Sequence, residues 1–174
     1  MDKSDWDCLH QLVADCALAL FEGVEIPLEY RGLLPGSTSA TTIAVLGFAG
    51  EHLRGAVVLE APEGVLERSL PCGEPTPEAV LDWAGELANQ LCGRIKNRLL
   101  GHGVVIQLAT PTVISGQVTT VTAEPTAKAA HQFQTDRGEG IAVRFSALPS
   151  PEIVFLPVVE SSESAVDEGD CLLF

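Results

Sequence analysis

The stretch that most constrains this chain runs from Thr76 to Gly103, TPEAVLDWAGELANQLCGRIKNRLLGHG. It reads as one long amphipathic helix. Thr76 suits the N-cap and Pro77 the first helical position, where the missing N–H costs nothing. Glu78 and Asp82 lie toward the positive end of the helix dipole; Arg94, Lys96 and Arg98 lie toward the negative end. Gly101 and Gly103 supply the stop. Val80, Leu81, Ala84, Leu87, Ala88, Leu91, Cys92, Ile95 and Leu99 form a broad core-facing stripe. The opposite side carries Asp82, Glu86, Asn89 and Gly93, spaced four, three and four apart. At about 100° per residue these four fall in one narrow sector. Glu86 and Asn89 therefore project side by side, one turn apart. A glycine inside a helix costs roughly 1 kcal/mol relative to alanine. Close approach by another backbone offsets that cost most simply at Gly93, whether from a docking partner or from a helix or strand inside the domain.

The rest of the chain reads as elements around that helix. A first helix is expected from Asp5 to Phe21, capped by Ser4 or Asp5, with Trp6, Leu9, Val13, Cys16, Ala17 and Leu20 inward and Gly23 as its end. Val24–Tyr30 contains Pro27 and is at best an edge strand; Arg31–Ser39 reads as a loop. Thr41–Phe48 and Leu53–Leu59 read as a hairpin turning at Ala49–His52. Pro62–Ser69 suits a short helix with Val65 and Leu66 inward, and Leu70–Pro75 a connection. Val104–Ala109 reads as a strand, broken by Pro111–Gly116, with Gln117–Ala123 as a further strand. Ala129–Thr135 and Ile141–Phe145 suggest a hairpin, and Ile153–Val159 a last edge strand holding Pro157. Helices and hairpins in this order imply an α+β fold, with helices on one face of a largely antiparallel sheet. Residues 1–159 are expected to form one domain, and 160–174, acidic and without a basic residue, a disordered tail.

Composition narrows the partners. The chain is 46% hydrophobic and 20% charged, which excludes wholesale disorder. A formal net charge of -14 argues against nucleic acid and anionic membrane, both of which need basic patches, and suits a partner that presents lysines or arginines. The opening MDKSDWD is no secretory signal, and no run approaches a membrane span. Cys8, Cys16, Cys72, Cys92 and Cys171 include no CxxC pair, so reduced thiols and a cytoplasmic location are expected. His10, His52, His102 and His131 occur singly, without metal-ligand spacing. No GxSxG elbow, P-loop or GxGxxG is present.

A Glu and an Asn on a helix face are normally just solvated. What sets this pair apart is its setting: Glu86-x-x-Asn89, then Gly93 and Lys96, then a strand leading to Pro111-x-x-x-x-Gly116. The segment GELANQLCGRIKNRLLGHGVVIQLATPTVISG resembles the signature of the CheC/CheX/FliY family of response-regulator phosphatases. CALALFEGVEIPLE resembles the family's first helix and strand, and TTIAVLGFAGEHLRGAVVLEAP its first hairpin. Asparagine occurs only at 89 and 97, so there is no second Glu-x-x-Asn, and the likeness is to the single-site CheX type. The resemblance implies a two-layer CheC-like fold. It also implies hydrolysis of the aspartyl phosphate of a CheY-like response regulator in chemotaxis or another two-component pathway.

A carboxamide is no base near neutral pH, but it donates and accepts hydrogen bonds at once and can hold a water in line with a leaving group. The resemblance gives that role to Asn89, inserted beside the regulator's phosphoaspartate. Glu86, as a carboxylate, is repelled by a phosphoryl group, and the resemblance assigns it contact with a lysine of the regulator. Asp82 and Gly93 are inferred as further partner contacts. No cofactor or metal of the chain's own is implied; Mg²⁺ would come with the regulator. A homodimer through the sheet is expected from the same likeness. The alternative is a non-catalytic module of the same fold that docks onto a regulator or flagellar switch component, or dimerises as a scaffold.

Overall fold

The structure is a computed structural model that describes residues 1, 3–35, 40–118 and 129–156. Three helices lie in these residues: α1 (Lys3–Gly23), α2 (Glu63–Ser69) and α3 (Pro77–Gly101). The strands are β1 (Leu28–Pro35), β2 (Ala40–Ala49), β3 (Leu53–Ala61), β4 (Gln107–Leu108), β5 (Thr112–Val118), β6 (Ala129–Thr135) and β7 (Gly140–Pro149). They form one seven-stranded sheet in the order β1-β6-β7-β3-β2-β4, with β5 also paired to β2, and every pairing is antiparallel. The expected α+β arrangement is what forms, with helices packed on the sheet.

Alternation along the strands decides which side the helices cover. Ala44, Leu46 and Phe48 of β2, Val57 and Leu59 of β3, and Ile141, Val143 and Phe145 of β7 share a cluster with Leu9, Val13 and Leu20 of α1 and Leu87, Leu91 and Ile95 of α3. The stripe read in α3 is thus its buried face. Its start is the expected one: Thr76 Oγ1 accepts from the Ala79 N–H at 3.2 Å and Pro77 follows the cap. Val65 and Leu66 of α2 are buried as expected.

Four expectations need correction. First, the strand placed at Val24–Tyr30 begins at Leu28 and continues to Pro35, into the stretch read as a loop. Residues 24–27 belong to the helix exit, where Ile26 N–H donates to Phe21 O at 2.9 Å and Glu25 adopts φ 60°. Gly32, a loop signal in sequence, lies at φ 113° where the β1–β6 register shifts, so it serves a bulge in an edge strand. Second, Pro111–Gly116 does not separate two strands. Pro111 precedes β5, and Gly116, at φ 130°, lies where the β2–β5 register shifts between Ala40 and Thr42. Third, of the expected Val104–Ala109 strand only Gln107–Leu108 forms a ladder, continued by the Ala109 N–H donating to Gly47 O at 2.9 Å, while Val104 and Ile106 turn into the core. Fourth, residues 153–156 form no strand. Ile153 N–H donates to Ser150 O, and Leu156 is tied to the end of α3: its N–H donates to His102 O at 3.1 Å, and His102 Nδ1 lies 2.8 Å from Leu156 O. The tail expected at 160–174, the remainder of the last strand and most of Gln117–Ala123 lie outside the described residues.

Candidate functional site

Because one face of α3 is buried in the core, the polar sector opposite it is presented outward. Asp82 and Glu86 are exposed, and Asn89 and Gly93 are half-buried. The structure therefore brings all four onto the outer surface of one helix, as the spacing requires. Lys96, further along, is exposed.

Glu86 is not independent of its neighbours. Its Oε1 accepts from Gln90 Nε2 at 3.1 Å, one turn on. Gln90 thus holds the Glu86 carboxylate, a partner that a polar sector drawn through Asn89 does not name. The i, i+4 spacing from Glu86 was the signal available. Asn89 makes no side-chain hydrogen bond among the described residues, so both its donor and its acceptor are open to an incoming group.

The two glycines of this segment do different work. A Cβ on Gly93 would meet nothing within 4 Å. Internal close packing, one of the two readings of that glycine, is therefore corrected: among the described residues no neighbouring backbone needs the space. Gly85 is the glycine at a close approach. It is buried, and a Cβ there would sit 3.4 Å from Val113 Cγ2 and 3.7 Å from Pro111 Cγ. Pro111 of the motif thus packs under the residue that precedes Glu86, so the segment leading into β5 backs the turn of α3 that carries Glu86.

The surface along α3 is polarised. Glu78, Asp82 and Glu86 occupy the first half, and Arg94, Lys96 and Arg98 the second. Among the described residues no group of three or more His, Cys, Asp or Glu is placed to hold a metal ion. Nor is any helix there long and apolar enough to cross a membrane. The structure does bring together two histidines that are far apart in sequence: His10 Nδ1 lies 3.2 Å from His131 Nε2, and Tyr30 Oη lies 3.1 Å from His131 Nδ1. This cluster joins α1, β1 and β6, away from the outer face of α3.

The family model described as chemotaxis phosphatase CheX matches residues 42–135, which span β2 through β6 and include the whole of α3. The chain belongs to the CheX family. No curated relative matches the sequence. Solved structures share the fold of this CheX-family chain. The chemotaxis protein CheX from Vibrio vulnificus superposes with a TM-score of 0.70 at 18% identity, over 80% of this chain and 96% of that one. A CheC-like superfamily protein from Shewanella gives 0.66 at 21% identity, over 84% and 99%. The CheX of a CheX-CheY-BeF3-Mg²⁺ complex from Borrelia burgdorferi gives 0.63 at 16% identity, over 79% and 96%.

Proposed function

We propose that this CheX-family chain removes the phosphoryl group from the aspartyl phosphate of a CheY-like receiver domain. One observation carries the reading: Glu86 and Asn89 stand one turn apart on the outer face of the helix whose other face builds the core. That arrangement lends a rigid pair of side chains to another molecule's site. The solved CheX-CheY complex of the Borrelia relative supports a receiver domain as that molecule.

In this reading the partner supplies the phosphoaspartate and its Mg²⁺, and this chain supplies geometry. Acyl phosphate hydrolysis has a good leaving group and spreads charge over the phosphoryl oxygens, so positioning a water is the main task. Asn89, with its carboxamide uncommitted, does this by accepting from the water while donating to a phosphoryl oxygen. Glu86, steadied by Gln90, meets a cation of the receiver and sets the depth of insertion. Asp82 and Gly93 border the same contact. The homodimer expected from the family resemblance belongs to this reading as well, and light scattering checks it.

The test is phosphate loss from phosphorylated receiver domains of the source organism, with Mg²⁺, comparing wild type, Asn89→Ala and Glu86→Gln. Acceleration should vanish in Asn89→Ala while receiver binding persists. In Glu86→Gln affinity should fall more than the rate at saturation. Binding without acceleration by the wild type would replace the enzyme with a docking module. Acceleration that survives Asn89→Ala would place the site elsewhere.

A further inference from the structure

The outer sector of α3 does not stop at Gly93. Asp82, Glu86, Asn89 and Gly93 are followed by Lys96 and Leu100, so the spacing continues as four, three, four, three and four. At about 100° per residue all six positions fall within about 80° of arc, opposite the buried stripe. Lys96 is exposed, and among the described residues it forms no ion pair. Leu100 is 59% exposed, on a helix whose Leu87, Leu91 and Leu99 are wholly buried. A single exposed leucine is ordinary by itself. This one continues a seam of residues that face away from the core.

From Asp82 to Leu100 the seam covers roughly 27 Å of helix axis. A standard interface takes about 800 Å² from each partner, a patch about 30 Å across. Glu86 and Asn89 alone occupy one turn, about 5 Å. A receiver that admits Asn89 to its phosphoaspartate needs more surface around it than that turn supplies. Given the receiver reading of α3 above, we propose that the docking surface for the phosphorylated receiver domain extends past Asn89 and Gly93 to Lys96 and Leu100. Lys96 pairs with a carboxylate of the receiver, and Leu100 is covered by an apolar side chain of it.

Charge decides which way the receiver lies. Along the seam Asp82 and Glu86 are negative, Asn89 and Gly93 uncharged, and Lys96 positive. Mg²⁺ is held by one or two carboxylates together with phosphoryl oxygens, so the centre that Asn89 enters is rimmed by acids. A chain of net charge -14 is repelled from such a rim unless a cation faces it. Lys96 is that cation. It lies seven residues past Asn89, roughly 10 Å along the axis, and its flexible four-carbon stem spans part of that distance. The receiver's own cation, met by Glu86, then lies toward the N-terminal half of α3, and its acidic rim toward the C-terminal half. Reversing the receiver on the helix would set carboxylate against carboxylate. Leu100, one turn beyond Lys96, closes the edge of the contact and keeps water from the ion pair.

The experiment titrates receiver domains of the source organism, carrying BeF3 and Mg²⁺ as in the Borrelia complex, with wild type, Lys96→Gln, Lys96→Glu, Leu100→Gln and Lys3→Glu. Lys3, exposed at the start of α1, changes the net charge as Lys96→Glu does but lies off the seam. Affinity should fall several-fold in Lys96→Gln and Leu100→Gln, roughly tenfold or more in Lys96→Glu, and by less than about twofold in Lys3→Glu. The Lys96→Glu defect should shrink as salt rises. In phosphate-loss assays it should fall on KM rather than on kcat. Changing one acidic residue of the receiver's rim to lysine should restore affinity for Lys96→Glu. Unchanged urea midpoints verify that each variant is folded. Wild-type affinity in both Lys96 variants and in Leu100→Gln, with Asn89→Ala still abolishing acceleration, would overturn the extension and leave the receiver reading standing. An equal loss in Lys3→Glu would overturn it by reducing the effect to net charge. No binding of any receiver by the wild type would remove both readings together.

Discussion

At the scale of single residues, Gly93 sets helix propensity against the receiver contact proposed for it. On the outer face of α3 an alanine methyl group there meets no neighbour among the described residues. Gly93→Ala should therefore stabilise the protein by up to about 1 kcal/mol through helix propensity alone, read as a higher urea midpoint. If the space serves an approaching receiver domain, the same substitution should weaken binding of the phosphorylated receiver, read by titration. A more stable variant with unchanged affinity would remove Gly93 from the contact surface. Glu86, Asn89 and Gly93 were legible as one face because helical periodicity turns spacing directly into direction. Spacing said nothing about which glycine was crowded. Gly85 and Gly93 look alike in sequence, and only the placement of Pro111 and Val113 against Gly85 separates them.

At the scale of elements, long periodic segments were readable and edge strands were not. α3 declares itself through a cap, a proline, a stripe and a dipole-matched charge order, all local. β1 and β5 take their extended form from their partners, and each contains a glycine at positive φ that in sequence signals a turn. Pairing with β6 and β2 makes those glycines bulges. The Arg144–Glu60 pair was equally out of reach of local reasoning, since its members are 84 positions apart. Arg144 Nε donates to Glu60 Oε1, joining β7 to β3, and both side chains are almost wholly buried, at 2% and 0% exposure. Burying such a pair is costly, and removing one member leaves the other's charge buried without it. Arg144→Ala should destabilise the protein by roughly 3–5 kcal/mol in urea denaturation, and adding Glu60→Gln should recover part of the loss. A loss within the range of ordinary surface substitutions, or no recovery in the double variant, would show that the pair is not the tie between these strands.

At the scale of the whole molecule, the contact of α1 with the far end of the sheet makes stability depend on pH. His131 is buried against His10, and burial, helped by the neighbouring imidazole, lowers its pKa from 6.5 to about 4. His10 is lowered as well, chiefly by burial and against the opposing pull of Asp7. Two imidazoles 3.2 Å apart titrate as a coupled pair, and Tyr30 Oη faces the remaining nitrogen of His131, so the cluster is built for the neutral form. In the unfolded chain the same imidazole takes up its proton near 6.5. Between about 6.5 and about 4 the unfolded state therefore binds more protons, and stability must fall as pH falls. The His131 contribution is complete above the upper value and gone below the lower one, a swing of about 3 kcal/mol. Glu139 acts in a lower window. The Arg68 hydrogen bond holds its pKa below the ordinary carboxylate range, so its contribution is lost only as pH drops through that lowered value. Comparing urea midpoints of wild type and His131→Gln at pH 7.5, 6 and 5 isolates the histidine. The glutamine keeps a polar partner for Tyr30 but does not titrate, so the gap between the two proteins should narrow steadily toward pH 5. A gap that stays constant would mean that the sheet end tolerates a charged imidazole, and acid sensitivity would then rest on the carboxylates.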